Sequence, residues 1–305
     1  MKPLIALIVE TSTLQSWALI EGVTRYTREH ERWTLDLCDA NLGASLPEWI
    51  AGWRGDGVIA RLDDVRVADA VRRRRYPAVD LSAAGFISAS PCVVPDEGAI
   101  AALVSDHFLE RGFTRFGFLG VKGDCGSRER QRAFEGRVAK AGFQCESLRF
   151  AQSRDVAADD RRIANWLWGV PKPVGILCAY DTLADRVLDV CEDEGLNVPD
   201  EVAIATVECD GALCQLTKPT LTSVTLDYSS MGYQAARLLD RLLAGEKVAA
   251  GIHRVAPLGI VGRESTGTSP TSPPAPLLER RGGKPLPNPS KLSTDPFRKG
   301  EGRDR

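Results

Sequence analysis

Short apolar runs alternate with longer amphipathic stretches, and a glycine often stands at the join. That rhythm constrains the fold more than any other feature of the chain. Runs at 4–9, 34–38, 57–60, 78–81, 116–120, 147–150, 175–178, 202–207 and 223–226 read as strands. Segments 14–30, 64–75, 96–111, 127–141, 156–168, 183–194 and 229–244 read as helices. In 96–111, Ile100, Leu103, Val104, Phe108 and Leu109 fall near helical spacing, and Gly112 is placed as the stop. Ala141-Gly142 and Glu194-Gly195 close two further helices in the same way. Strands joined by helices form a parallel sheet covered on both faces. The expected fold class is therefore α/β, doubly wound.

The 305 residues suffice for two lobes or two domains. An apolar fraction of 43% and a charged fraction of 26% are ordinary for a globular chain. The net charge of -2 shows no footprint for nucleic acid or an anionic membrane, which argues against unaided DNA binding. No run approaches the roughly 18 apolar residues of a membrane span. The first apolar run, Leu4 to Val9, stops at Glu10 with no cleavage site after it, so it reads as a buried strand of a cytoplasmic protein. Eight cysteines are scattered without a Cys-x-x-Cys pair, and Cys178 sits in the apolar Gly175-Ile176-Leu177-Cys178. Reduced thiols are expected rather than a disulfide framework.

Composition changes near Glu264. Eight of the 18 prolines lie in 265–305, amid Ser, Thr, Gly and Arg. That segment has too few apolar residues to bury a core and is expected to be a disordered tail. Its eight Lys/Arg against four Asp/Glu are not clustered as in a DNA-binding arm.

Catalytic signatures are missing. His30, His107 and His253 lie far apart, without Cys or carboxylate at metal spacing. There is no Gly-x-Ser-x-Gly elbow and no phosphate loop with Lys-Ser/Thr. Gly120-Val121-Lys122-Gly123-Asp124-Cys125-Gly126 imitates a dinucleotide loop but has the wrong glycine spacing. No enzymatic activity, no cofactor and no metal are expected.

Three phrases come in order near the C-terminal end: Val198-Pro199-Asp200-Glu201-Val202-Ala203-Ile204, Pro219-Thr220-Leu221-Thr222-Ser223-Val224, and Met231-Gly232-Tyr233-Gln234-Ala235-Ala236. Trp53-Arg54-Gly55-Asp56-Gly57-Val58-Ile59-Ala60 and Arg130-Gln131-Arg132-Ala133-Phe134 add to them. With these, the chain to about Glu264 resembles the ligand-binding domain of the lac repressor/galactose repressor superfamily, and more narrowly the sensor half of its xylose-operon regulators. The resemblance implies a type I periplasmic-binding-protein fold with two doubly wound lobes, three crossovers and a ligand cleft between them. Lobe one is expected at 1–95 plus about 225–246, and lobe two at 96–224 plus about 247–264. The implied ligand is a xylose-like aldopentose, sensed by lobe closure, and the implied assembly is a homodimer. DNA is expected to be met only through a domain not seen in this chain. The alternatives are a solute-binding receptor for sugar uptake and a truncated remnant of a regulator.

A sugar needs bidentate polar partners for vicinal hydroxyls and an apolar plate for its C–H face. The resemblance makes Arg130, four residues before Phe134, a ligand contact; a solvated helix face between Arg128 and Arg132 is the other reading. Asp181 follows a strand and suits either a hydroxyl or the cap of the next helix. Glu208, Cys209 and Asp210 follow strand 202–207, where the family carries Asp and then Asn or Asp. Glu208 and Asp210 are taken as contacts, while Cys209 departs from the family pattern. Asp80 matches a family Asp that reaches the cleft, or else a surface turn. In the first turn Ser12 supplies a hydroxyl, and Trp17 supplies either a stacking face or core.

Overall fold

β1 (Leu4–Val9) lies between two neighbours inside the first sheet because its side chains serve both faces. Ile5, Leu7 and Val9 join one core, and Ala6 and Ile8 join the other, as the two-residue period of a strand requires. The computed structural model describes residues 2–31, 33–40, 45–82, 84–151, 155–208 and 213–267.

The chain continues with α1 (Leu14–His30), β2 (Thr34–Asp39), α2 (Leu46–Gly52), β3 (Gly57–Ala60), α3 (Val65–Arg74), β4 (Ala78–Asp80) and β5 (Cys92–Pro95). Then come α4 (Glu97–Glu110), β6 (Phe116–Val121), α5 (Cys125–Lys140), β7 (Cys145–Phe150), α6 (Val156–Gly169), β8 (Val174–Cys178), α7 (Asp181–Asp193), β9 (Val202–Val207) and β10 (Thr222–Thr225). Last are α8 (Tyr228–Leu243), β11 (Ile252–Val255), β12 (Gly259–Val261) and a 3-10 turn at Glu264–Thr266. The first sheet has the order β11-β5-β4-β3-β1-β2, all parallel. The second has the order β12-β10-β9-β8-β6-β7, parallel except for β12 against β10. The expected class is observed: two doubly wound lobes of periplasmic-binding-protein type.

Each lobe packs helices on both sheet faces. In the first, Leu19 and Val23 of α1 meet Ala235 and Leu239 of α8 on one side, while Ile50, Val67 and Val71 of α2 and α3 cover the other. α1 and α8 cross with backbone nearly on backbone. A Cβ at Gly22 would land on the Ser229 carbonyl, and one at Gly232 on the Leu19 carbonyl. In the second lobe Phe116 and Phe118 of β6 pack with Phe134 of α5 and Leu167 of α6. Three of the helices that leave the C-terminal ends of strands, α4, α5 and α8, start on aspartate caps: Asp96 accepts from the Ala99 N–H at 3.1 Å, Asp124 from Ser127 at 2.5 Å and Asp227 from Ser230 at 2.8 Å. These caps gather carboxylates at the end of each lobe that faces the cleft.

Three expectations are corrected. Segment 247–264 does not lie wholly in lobe two: β11 pairs in parallel with β5, Ile252 opposite Cys92 through Val255 opposite Pro95. The third crossing therefore falls between β11 and β12. β11 was invisible because His253 and Arg254 make half of it, as an edge strand allows. The tail does not begin at Ser265. Ser265 Oγ donates to the Ile204 carbonyl at 2.6 Å and accepts from the Thr222 N–H at 2.9 Å, while Thr266 Oγ1 lies 2.8 Å from His107 Nε2. Two buried hydroxyls thus anchor the segment through Gly267, and composition does not display such bonds. Residues 268–305 lie outside the described residues. Finally, Cys214 is buried and disulfide-bonded, so not every thiol is reduced. Cys38, Cys92, Cys125, Cys145, Cys178 and Cys191 are free. No helix among the described residues is long and apolar enough to cross a membrane.

Candidate functional site

A cavity of about 640 Å³ opens between the lobes at the C-terminal ends of their strands, the usual place for a ligand on open parallel sheets. Its deepest polar group is Arg130. On α5 the buried positions are Ser127, Arg130, Phe134 and Val138, spaced three or four apart. Arg130 therefore occupies the core stripe of the helix, one turn nearer the cleft than Phe134. Only 2% of it is exposed, whereas the Arg128 and Arg132 side chains are 45% and 66% exposed. The solvated-face reading of Arg130 is thereby excluded.

A buried guanidinium must be matched by acceptors. Glu97, first residue of α4, takes it bidentately: Nε donates to Oε2 at 2.8 Å and Nη2 to Oε1 at 3.0 Å. Nη2 also donates to Glu208 Oε1 at 3.3 Å, and Nη1 donates to the Ala179 carbonyl. The Tyr180 ring lies 5.4 Å from the guanidinium carbon. Burial works against the arginine's charge, but Glu97 and Glu208 outweigh it and hold the pKa above the ordinary value. Burial pushes the Glu97 carboxyl above its usual range, with Arg130 partly restraining the rise.

The rest of the wall combines hydroxyls and charges from both lobes. Tyr180 donates to Asp124 Oδ1 at 2.6 Å, and burial raises its pKa first, the Asp124 contact adding to the rise. Tyr228, just after the second crossing, bonds Glu208; burial and then that carboxylate push its pKa well up. Arg61, just after β3, places Nη2 4.0 Å from Asp124 Oδ2 of the other lobe. Gln15 Nε2 spans the cleft to the Glu208 carbonyl at 2.5 Å. Glu208 has φ 74°, a left-handed conformation that few residues other than glycine adopt, and this turns its backbone toward α1 while its side chain meets Arg130.

The sequence-predicted residues separate into groups. Arg130 and Glu208 meet in the cavity wall. Asp181 is the first residue of α7, not its cap, which is Tyr180. Burial first, and then the Glu208 charge, raise the Asp181 pKa, so the two carboxylates share one region. Asp80 is 2% exposed and does not line this cavity; its Oδ1 accepts from Leu62 N–H at 3.1 Å, Ser82 N–H at 2.8 Å and Ser82 Oγ at 2.7 Å. Ser12 and Trp17 do not line it either. Ser12 Oγ donates to Glu10 Oε1 at 2.6 Å, and Trp17, 51% exposed, turns Nε1 back to the Thr11 carbonyl at 3.0 Å. Asp210 and Cys209 lie outside the described residues. Sequence reasoning missed Glu97, Arg61, Tyr228 and Gln15. The first three each follow the end of a strand or a crossing by a few residues, which was the available signal.

Among the described residues no group of three His, Cys, Asp or Glu side chains could hold a metal. The chemistry on view is hydrogen bonding and charge, arranged for holding a polar molecule.

Residues 105–266 match the model of the periplasmic binding protein-like domain. The chain belongs to that family. It is 29% identical over 282 residues to the xylose operon regulatory protein of Escherichia coli (strain K12), covering 89% of this chain and 71% of that protein. The structure of the xylose-binding transcription activator xylR superposes with a TM-score of 0.76 at 26% identity, covering 90% of this chain and 72% of that one. A LacI family transcriptional regulator from Mycobacterium smegmatis shares the fold, with a TM-score of 0.71 at 22% identity over 86% of this chain and 98% of that one. The relatives are transcription regulators, and this family member carries the effector-binding architecture.

Proposed function

We propose that the chain is the sugar-sensing domain of a transcription regulator and holds a xylose-like aldopentose between its lobes without transforming it. The observation that carries this reading is the Arg130–Glu97–Glu208 cluster on the cavity wall, with Tyr180 and Tyr228 beside it. Donors and acceptors alternate over a short distance there, as vicinal hydroxyls require. The identity to the xylose operon regulatory protein supports a pentose. In this reading Glu97 keeps its two short bonds and positions Arg130. The longer Glu208 link at 3.3 Å is the one a sugar hydroxyl replaces. A ligand bonded to both lobes favours the closed form by its difference in affinity for the two forms. The setting is cytoplasmic, the working unit a homodimer, and sequence-specific DNA contact belongs to a separate domain. Ser12, Trp17 and Asp80 then act behind or beside the pocket, and Asp181 acts beside Glu208.

The test is a thermal-shift panel of D-xylose, other pentoses, hexoses and sugar acids. A ligand at 100 times its Kd stabilises by about 2.7 kcal/mol, a rise of roughly 5–10 °C for a domain of this size. A rise with one aldopentose, lost in Glu208→Gln and Asp181→Asn variants that melt normally, is expected. Cooperative melting with no rise for any sugar would remove the sugar reading and leave the fold untouched.

A further inference from the structure

The net charge of -2 conceals a local excess of the opposite sign. α3 runs away from the cleft and ends in Arg72-Arg73-Arg74-Arg75, all exposed, at the base of the first lobe. Arg54 stands just before β3 and Lys2 just before β1, both exposed, and β4, β3 and β1 are consecutive in the sheet. Neighbouring strands lie about 4.8 Å apart, so these six cations form one strip along the lower sheet edge. Carboxylates near it are engaged: Asp69 pairs with Arg72 at 2.7 Å, Asp56 Oδ2 accepts the Leu4 N–H at 2.8 Å, and Asp36 Oδ2 accepts from Trp53 Nε1 at 2.8 Å.

Arg74 is oriented within the strip. Its Nη2 donates to the Trp53 carbonyl and to Tyr76 Oη, both at 3.2 Å, and its guanidinium carbon lies 5.6 Å from the Tyr76 ring centroid. Arg73 and Arg75 make no side-chain ion pair among the described residues. Arg75 caps α3 in the left-handed region at φ 54°, where glycine is the usual choice. The fold thus tolerates a strained cap and carries a fourth guanidinium there. None of the large exposed apolar side chains, such as Trp17, Phe86, Trp168 or Leu216, belongs to this strip. A protein partner would call for an apolar or aromatic centre. Four adjacent guanidiniums with no apolar centre match a row of phosphates.

We infer that the base of the first lobe binds the phosphate backbone of duplex nucleic acid, without reading its sequence. The contact is independent of the sugar cleft, since it uses the opposite end of the lobe. It adds a non-specific contact to the DNA contact that the resemblance assigns to another domain.

The experiment is fluorescence anisotropy of a labelled 20-base-pair duplex of arbitrary sequence with the full 305-residue chain, from about 20 to 200 mM salt. Log affinity should fall linearly with log salt, each phosphate contact contributing a slope of about 0.9. The double variant Arg73→Ala/Arg75→Gly should lower that slope by about 2 and weaken binding about tenfold or more at 50 mM salt. Its melting temperature should not fall, because glycine suits the left-handed cap, so lost binding is not lost folding. Arg161→Ala, an exposed arginine on α6, should bind as the parent does. Parent-like binding by the double variant, or no salt-dependent binding by the parent, would overturn the inference. Equal affinity for a polyglutamate of matched charge would also overturn it, in favour of an acidic protein partner.

Discussion

Replacing Arg130 with methionine removes a charge that the second lobe is built around. The substitution leaves Glu97 and Glu208, with side chains 16% and 23% exposed, facing each other without their common cation. Breaking a buried ion pair from one side costs about 3–5 kcal/mol. An exposed pair contributes about 0–1 kcal/mol. At about 2 °C per kcal/mol for a domain of this size, Arg130→Met should lower Tm by about 6–10 °C, against about 2 °C or less if the pair were superficial. The double variant Arg130→Met/Glu97→Gln removes the carboxylate stranded nearest the hole. Its destabilisation should be smaller than the sum of the single variants by about 1 kcal/mol or more, as expected within one network. The pH dependence gives an independent check. Burial already lifts the Glu97 pKa above its ordinary value, and loss of Arg130 removes the opposing influence. An ionised Glu97 then works against folding. The cost should be full at neutral pH and shrink as pH falls through the raised pKa toward the ordinary carboxylate range. Urea or thermal unfolding from pH 7 to pH 4.5 measures this. A Tm loss below about 2 °C, with a pH profile parallel to the parent's, would refute the reasoning.

Three other outcomes follow from the geometry. Gly232→Ala places a methyl group on the Leu19 carbonyl, where neither backbone can yield easily; urea titration should show a loss of about 3 kcal/mol, the upper end for overpacking. His107 is 6% exposed, and burial, with Arg111 adding, depresses its pKa to about 4. Its neutral form therefore supports the fold above about pH 6.5, and about 3 kcal/mol of that support should be lost as pH falls through 4. A His107→Gln variant should flatten this part of the stability–pH curve, and an unchanged slope would assign the loss to other groups. Gln15→Ala removes the 2.5 Å bond to the Glu208 carbonyl across the cleft. One bond of about 1 kcal/mol should weaken sugar binding about fivefold in calorimetry, with the number of sites unchanged.

What the sequence displays, and what it hides, follows from how each contact is made. β1, β3, β8 and β9 were legible because each is buried on both faces and so reads as an unbroken apolar run. β11 and β12 were not: both are short and only partly covered, β11 is half polar and β12 has three residues, and they become strands only because a neighbouring edge is there to pair with. α2 has seven residues and begins beside a proline, too short for helical periodicity to show. The same division runs through the site. Arg130 could be found because its place four residues before Phe134 is a local fact. Glu97 could not, because its role depends on a contact with a residue 33 positions further along the chain. Trp17 carried the right chemistry for stacking on a sugar but turns back on its own strand end, while Gln15, two residues earlier on α1, reaches the other lobe. Asp80 sits at the right strand end, yet two donors of its own turn, from Ser82, and the Leu62 N–H beyond β3 consume one of its oxygens. Residue type and strand-end position narrow the candidates, but the partner decides the role. In this cleft the decisive partners are the residues placed just beyond the crossings: Glu97, which holds the buried Arg130 within the second lobe, and Tyr228, which meets Glu208 from the first.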